Sequence, residues 1–195
     1  MLQHLRTHRY HLLACLLVLT DQVTKVLVKG FNLFGVSHHG MRLGETIEPI
    51  GSLVRITFVE NPGMAFGISW GEAKIVLTLL TVVIAVALWV YLARLRSAHW
   101  TVQLAVALLL AGASGNLIDR ALYGVFYGEG PLFYGYVVDF IQVDIPDVTW
   151  FGQVYTHWPV FNIADTCVSV GIVLLLLFGG RLPESVSVRH EQPAE

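Results

Sequence analysis

The chain reads as an all-α membrane protein built on a four-transmembrane-helix bundle, and three observations predict it. Of its 195 residues 55% are hydrophobic and only 13% charged, whereas soluble domains carry about 25% charged residues. Four apolar runs are long enough for a hydrocarbon core of about 30 Å, which takes roughly 20 helical residues. The segments between them carry turn, strand and aromatic residues rather than runs of charge. The net charge of -2 leaves no basic footprint for nucleic acid. Cys15 and Cys167 lie in apolar runs without CxxC spacing and read as packing residues. The whole chain, 1–195, reads as a single integral membrane domain.

The first span covers residues 10–29 and carries Asp21 and Lys25 in its second half. Four residues apart, the two share a helix face, with the acid N-terminal to the base as the better pairing order. An intramembrane pair of this kind reads as structural and mutually neutralising. The loop over residues 30–74 contains "SLVRITFVEN", where Val54, Ile56 and Phe58 alternate with Arg55 and Thr57 as in a strand. "NPGMAFG" follows, a turn signal whose Asn61 could hold a peptide backbone or simply shape the turn.

Residues 75–93 and 100–118 make two charge-free spans. The second ends in "GNLIDR", which places Asn116, Asp119 and Arg120 at i, i+3 and i+4 on one face. Asp119 has Arg120 beside it and Lys25 as a further partner, which suits architecture. The loop over 119–160 is dense in aromatics, among them Tyr123, Phe126, Tyr127, Tyr134, Tyr136 and Trp158. Such residues suit a headgroup interface or a wall for a lipid-bearing ligand. The fourth span, residues 161–180, has Asp165 as its only charge.

Basic residues set the orientation. Arg6, Arg9, Arg94, Arg96, Arg181 and Arg189 flank the spans on one side, whereas residues 121–160 contain no Lys or Arg. Both termini are therefore expected in the cytoplasm and both long loops outside.

Two carboxylates carry the chemical interest. "VVDF" embeds Asp139 among apolar neighbours with no nearby cation in sequence, an environment that raises a carboxylate's pKa. "FNIAD" puts Asn162 and Asp165 on the first turn of the last span, where free N–H groups and the helix dipole favour negative charge. Two carboxylates in unlike environments make an acid and a base. On residues alone Asp165 is also compatible with a simple dipole-stabilising charge, and Asp139 with a loop carboxylate. A proton or ion relay through Asp21, Lys25, Asp119 and Asp165, or a non-catalytic scaffold, are the rival classes. His38 and His39 are adjacent and lack the spacing of a metal protease, so no metal is expected.

In order along the chain, "DQVTK" (Asp21 to Lys25), "NPGMAFG", "GNLIDR", "VVDF" and "FNIAD" resemble the lipoprotein signal peptidases, signal peptidase II, a family of four-span bacterial membrane aspartic proteases. The resemblance implies a hydrolase that removes signal peptides from prolipoproteins, cutting before a cysteine that bears a diacylglyceryl group. It implies a catalytic pair Asp139 and Asp165, site or supporting roles for Lys25, Asn61, Asn116, Arg120 and Asn162, and structural roles for Asp21 and Asp119. It also implies a small extracytoplasmic β-cradle around "SLVRITFVEN", no cofactor, contact with membrane lipid, a monomer, and a site at the extracytoplasmic face of the inner membrane. The stretches before and after "VVDF" are longer than in the shortest members, which makes Asp144 and Asp147 rivals to Asp139. The "VVDF" context favours Asp139.

Overall fold

The computed structural model describes residues 2–62, 74–95, 98–150 and 153–181. Helix α1 (Leu2–Lys29) is followed by strands β1 (Phe31–Leu33), β2 (Val36–His38), β3 (Thr46–Ser52) and β4 (Val54–Asn61), then helices α2 (Lys74–Arg94) and α3 (Trp100–Ile118). A π-helical turn (Asp119–Tyr123) and a short α4 (Gly124–Phe126) prolong α3. Strands β5 (Val137–Trp150) and β6 (Gln153–His157) precede α5 (Ile163–Phe178). Met64 and Phe66 of the turn motif lie outside the described residues.

The chain is thus not all-α. Beside the helices stand a two-stranded sheet, β1–β2, and a four-stranded antiparallel sheet in the order β3-β4-β5-β6. The reason lies in β5: "VVDFIQVDI" is rich in β-branched residues and finds in β4 a partner whose edge would otherwise leave its backbone groups unpaired.

Among the described residues, three helical stretches are long and apolar enough to cross a membrane: His8–Lys29, Lys74–Arg94 and Trp100–Phe126. The third is longer than the sequence suggests, because the backbone stays helical through Asp119 and Arg120. The last helix, Ile163–Phe178, is a shorter apolar one. At about 1.5 Å per residue it measures about 24 Å, and it begins at residue 163 rather than 161 because Asn162 caps it.

Helix α3 is the hub. It packs against α1, α2 and α5 through Val102, Val106, Ala107, Leu110 and Ala111, with Ala14, Leu92 and Cys167 in the same cluster. Close approach of α3 and α5 depends on small residues, as is usual between helices in lipid. A Cβ at Gly115 would stand 2.6 Å from Asp21 Oδ2 and 3.0 Å from Ala164 Cβ. Outward faces are apolar: Val76, Leu80, Val83 and Val86 of α2, and Val173, Leu176 and Leu177 of α5, are exposed.

The sheet sits at the end of the bundle where α1 stops and α5 starts. Tyr123, Phe58, Val138, Phe140 and Val28 form a second core between sheet and helices. Between Ile56 and Val59 the β4–β5 register shifts, so that Val59 comes opposite Asp139 and Asn61 opposite Val137. An extra residue in one strand re-aims the side chains beyond it. Ile141 and Phe161 then exchange backbone hydrogen bonds of 2.7 and 3.0 Å. That bridge fixes the chain just before α5 against β5.

Candidate active site

Asn162 is the junction of the polar cluster. It is fully buried and precedes α5 as its N-cap. Its Oδ1 accepts from the Asp165 backbone N–H at 2.9 Å, and the Asp165 carboxylate accepts from the Asn162 backbone N–H at 3.2 Å. This reciprocal capping box satisfies two of the orphan donors of the helix start. The remaining Asn162 function, its Nδ2, donates to Asp139 Oδ1 at 2.7 Å and lies 3.1 Å from Asn116 Oδ1. One residue therefore touches both carboxylates.

Asp139 lies on β5 and is 4% exposed. Its second oxygen accepts from Asn61 Nδ2 at 3.3 Å, a diagonal contact on one face of the β4–β5 ladder. Burial, then the negative charge of Asp165, push its carboxyl up to about 7, against the opposing pull of the two Asn donors and Lys25. Asp165 is half-buried, and its Oδ1 accepts from Asn116 Nδ2 at 2.8 Å. Asn116 thus donates to one carboxylate while its oxygen accepts from Lys25 Nζ at 2.9 Å.

Beneath this layer, Lys25 is wholly buried between two carboxylates, 2.9 Å from Asp21 and 2.7 Å from Asp119. Both acids are tied to other elements. Asp21 accepts from the Ala164 N–H of α5 at 2.9 Å, and Asp119 from the Val138 N–H of β5 at 3.2 Å. The triad therefore joins α1, the π turn after α3, β5 and α5, which together with β4 carry the site. A buried ion group this well bonded specifies an arrangement more than it adds net stability.

Arg120 sits apart from this ion group. Its guanidinium lies in the field of Asp119, Asp165 and Asp139, and its buried Nε has no hydrogen-bond partner among the described residues. The rivals to Asp139 stand elsewhere. Asp144 pairs with Arg55 at 2.7 Å near the surface, and Asp147 is exposed.

The sequence marks Tyr123 only as an interface aromatic, whereas it is buried beside the ion group, and it does not mark Gln22 at all. Gln22 Nε2 donates to Asp119 at 2.9 Å, to Asp21 at 3.1 Å and to the Gly115 carbonyl at 3.1 Å, while its oxygen accepts from the Tyr123 hydroxyl at 3.2 Å. The available signal was a polar residue next to Asp21 deep in an apolar span.

A family model described as signal peptidase (SPase) II matches residues 13–179. The chain belongs to the signal peptidase II family. Among its relatives, the lipoprotein signal peptidase of Pelodictyon phaeoclathratiforme is 35% identical over 86% of this chain and 88% of its own. That of Geobacillus thermodenitrificans is 36% identical over 86% and 87%. A solved bacterial membrane enzyme superposes with a TM-score of 0.63 at 32% identity, covering 91% of this chain and 94% of its own. For a member of the signal peptidase II family, the polar cluster at the start of α5 is the natural candidate for the reacting centre.

Proposed function

We propose that the chain is a membrane aspartic endopeptidase of one domain, acting as a monomer, that removes signal peptides from diacylglyceryl-modified prolipoproteins by cutting before the lipidated cysteine. The observation that carries this reading is the bridge by Asn162 between Asp139 and Asp165. Membership of the family supplies the reaction class, and the bridged pair is a fitting means of performing it.

Peptide hydrolysis by two carboxylates needs one proton between them and a water in reach of both. Asp139, the more buried and held up to about 7, keeps the shared proton to a far higher pH than an ordinary carboxyl and donates it toward the scissile carbonyl oxygen. Asp165, with both oxygens accepting from N–H donors, is the carboxylate that takes the proton of the attacking water. As the tetrahedral intermediate collapses, the proton on Asp165 passes to the leaving amine and Asp139 regains its own. Asn61 and Asn162 hold the Asp139 carboxyl, Asn116 and Asn162 hold Asp165, and Lys25 with Asp21 and Asp119 holds the scaffold beneath them. Arg120, whose guanidinium lies in the field of Asp139 and Asp165, supports the pair electrostatically and is the cation nearest to a substrate carbonyl held between them. The chemistry draws on no metal or cofactor.

The location follows from the same elements. The apolar helix α5, with the three longer ones, forms a fourth span, and the basic residues put both termini in the cytoplasm of the bacterial inner membrane. The site then lies at the extracytoplasmic surface, the depth a lipid-anchored cysteine can reach.

The test is cleavage of a diacylglyceryl-modified prolipoprotein by the purified chain, with the new N-terminus read by mass spectrometry. Release of a product beginning at the lipidated cysteine, with the unmodified precursor left intact, supports the reading. Intact modified substrate, verified against an active relative, overturns it.

A further inference from the structure

The hairpin β1–β2 ends in an unusual tip. Its two-residue turn is Phe34–Gly35, with φ of +49° and +81°. Two-residue hairpin turns with both φ positive favour Asn or Asp followed by Gly. A bulky aromatic at the first position is an outlier. Phe34 is also 96% exposed, and Leu33 and Val36 beside it are exposed too. No Asp, Glu, Lys or Arg occurs between residues 30 and 41. An aromatic held at positive φ and so exposed among the described residues points to a partner outside the chain.

The base of the hairpin says where that partner lies. Gly30 and Gly40 cross so closely that neither has room for a Cβ, and the Met41 N–H donates to the Val28 carbonyl at 2.7 Å. His38 Nε2 lies 2.9 Å from the Leu27 carbonyl. The hairpin is therefore clamped to the last turn of α1. Leu27 is also the last of Leu12, Leu16, Leu19, Val23 and Leu27, exposed residues at spacings of four, three, four and four, which form one apolar stripe along that helix. In a helix that crosses the bilayer such a stripe faces lipid, and the hairpin emerges where it ends.

We propose that the β1–β2 hairpin is a membrane-interface anchor, with Phe34, Leu33 and Val36 seated at the boundary between headgroups and acyl chains. The occupant is the lipid surface because the patch continues a lipid-facing stripe, carries no charge to pair with a protein partner, and presents an aromatic suited to that depth. Lys29, two residues before Phe31, bonds both Glu60 of β4 and Glu129. The anchor thereby sets the depth of the sheet, and of Asp139 on it, relative to the lipid surface. This inference rests on α1 crossing the membrane and not on which residues cleave.

The full chain, with Cys15→Ser and Cys167→Ala, is nitroxide-labelled at Phe34→Cys in vesicles of phosphatidylethanolamine and phosphatidylglycerol. Collision with oxygen and with a water-soluble nickel complex then reports depth. Labels at Val83 on α2 and Glu48 on β3 are the lipid and water references. The oxygen-to-nickel ratio at residue 34 is expected several-fold above that at Glu48 and toward that at Val83. A ratio equal to Glu48, or shielding from both reagents with spin–spin broadening between copies, overturns the anchor. A water-like ratio at Val83 as well would instead overturn the membrane reading of the bundle. In a second arm the label sits at Val36→Cys, with Phe34→Asn supplying a residue this turn prefers. A several-fold fall in the ratio is expected, and an unchanged ratio excludes Phe34 as the seat.

Discussion

Replacing Asp139 by asparagine should abolish turnover and yet stabilise the fold, and the stabilisation should grow as pH rises from about 5 and level off above about 7. The Asp139 carboxyl is 4% exposed and titrates at about 7 against 3.8 for the unperturbed group. In that interval the folded chain holds a proton that the unfolded chain releases. Stability is therefore greatest below about pH 4 and falls as pH rises until Asp139 ionises near 7. About three pH units at about 1.4 kcal/mol each put the destabilisation at about 4 kcal/mol above pH 7. An amide of the same shape removes that charge. It also turns a nitrogen toward Asn61 Nδ2, where Asp139 now accepts at 3.3 Å, and the mismatch costs about 1–2 kcal/mol. The net gain at pH 8 is about 2–3 kcal/mol, or about 4–12 °C in Tm for a chain of this size. At pH 5 only about one pH unit of the penalty remains, and the two effects cancel. Thermal unfolding of wild type and Asp139→Asn in detergent at pH 5 and 8 measures the difference, with Asp144→Asn as a surface control. A Tm difference that is the same at both pH values, or a variant less stable at pH 8, would refute the reasoning. Strain of this kind is expected where function opposes stability.

Three further outcomes follow from the same contacts. Lys25→Met strands Asp21 and Asp119 in the interior, and breaking a buried ion group costs about 3–5 kcal/mol, a large share of a typical 5–15 kcal/mol. Folded protein on size-exclusion chromatography should collapse, and adding Asp21→Asn with Asp119→Asn should restore much of it. Asn162→Ala removes the helix cap, about 1 kcal/mol, together with the donor to Asp139; Asn162→Ser should recover Tm but not kcat. Gly115→Ala drives a methyl against Asp21 and Ala164 and should lower stability by about 1–3 kcal/mol in unfolding measurements, whereas Gly180→Ala, with open space around it, should be neutral.

The apolar runs were legible because a span needs little more than length and the absence of charge. The third helix ran past its expected end because Asp119 and Arg120 interrupt the apolar pattern without interrupting the backbone: a π turn absorbs them, and the 121–135 loop uses its carbonyls. Strand β4 showed itself by alternation. Strand β5 did not, since it is apolar on both faces over Val137, Val138, Phe140 and Ile141 and is interrupted by Pro146. Asp21 and Lys25 pair within one helix, so their spacing is a local fact. The contact between Asp139 and Asn162 is not local. It depends on the β4 register shift and the Ile141–Phe161 bridge, and no sequence spacing records either. Gln22 was hidden for a related reason: its three acceptors lie on its own helix, on α3 and in the π turn.

The pairing of Asp139 with Asp165 as the hydrolytic centre is tested most directly by cleavage of a diacylglyceryl-modified prolipoprotein by Asp139→Asn, Asp165→Asn and Asp144→Asn, each first shown to be folded. Cleavage lost in the first two and kept in the third is the predicted result. Cleavage kept in Asp139→Asn or in Asp165→Asn would contradict the account, and loss in Asp144→Asn alone would move the reacting carboxylate to the middle of β5.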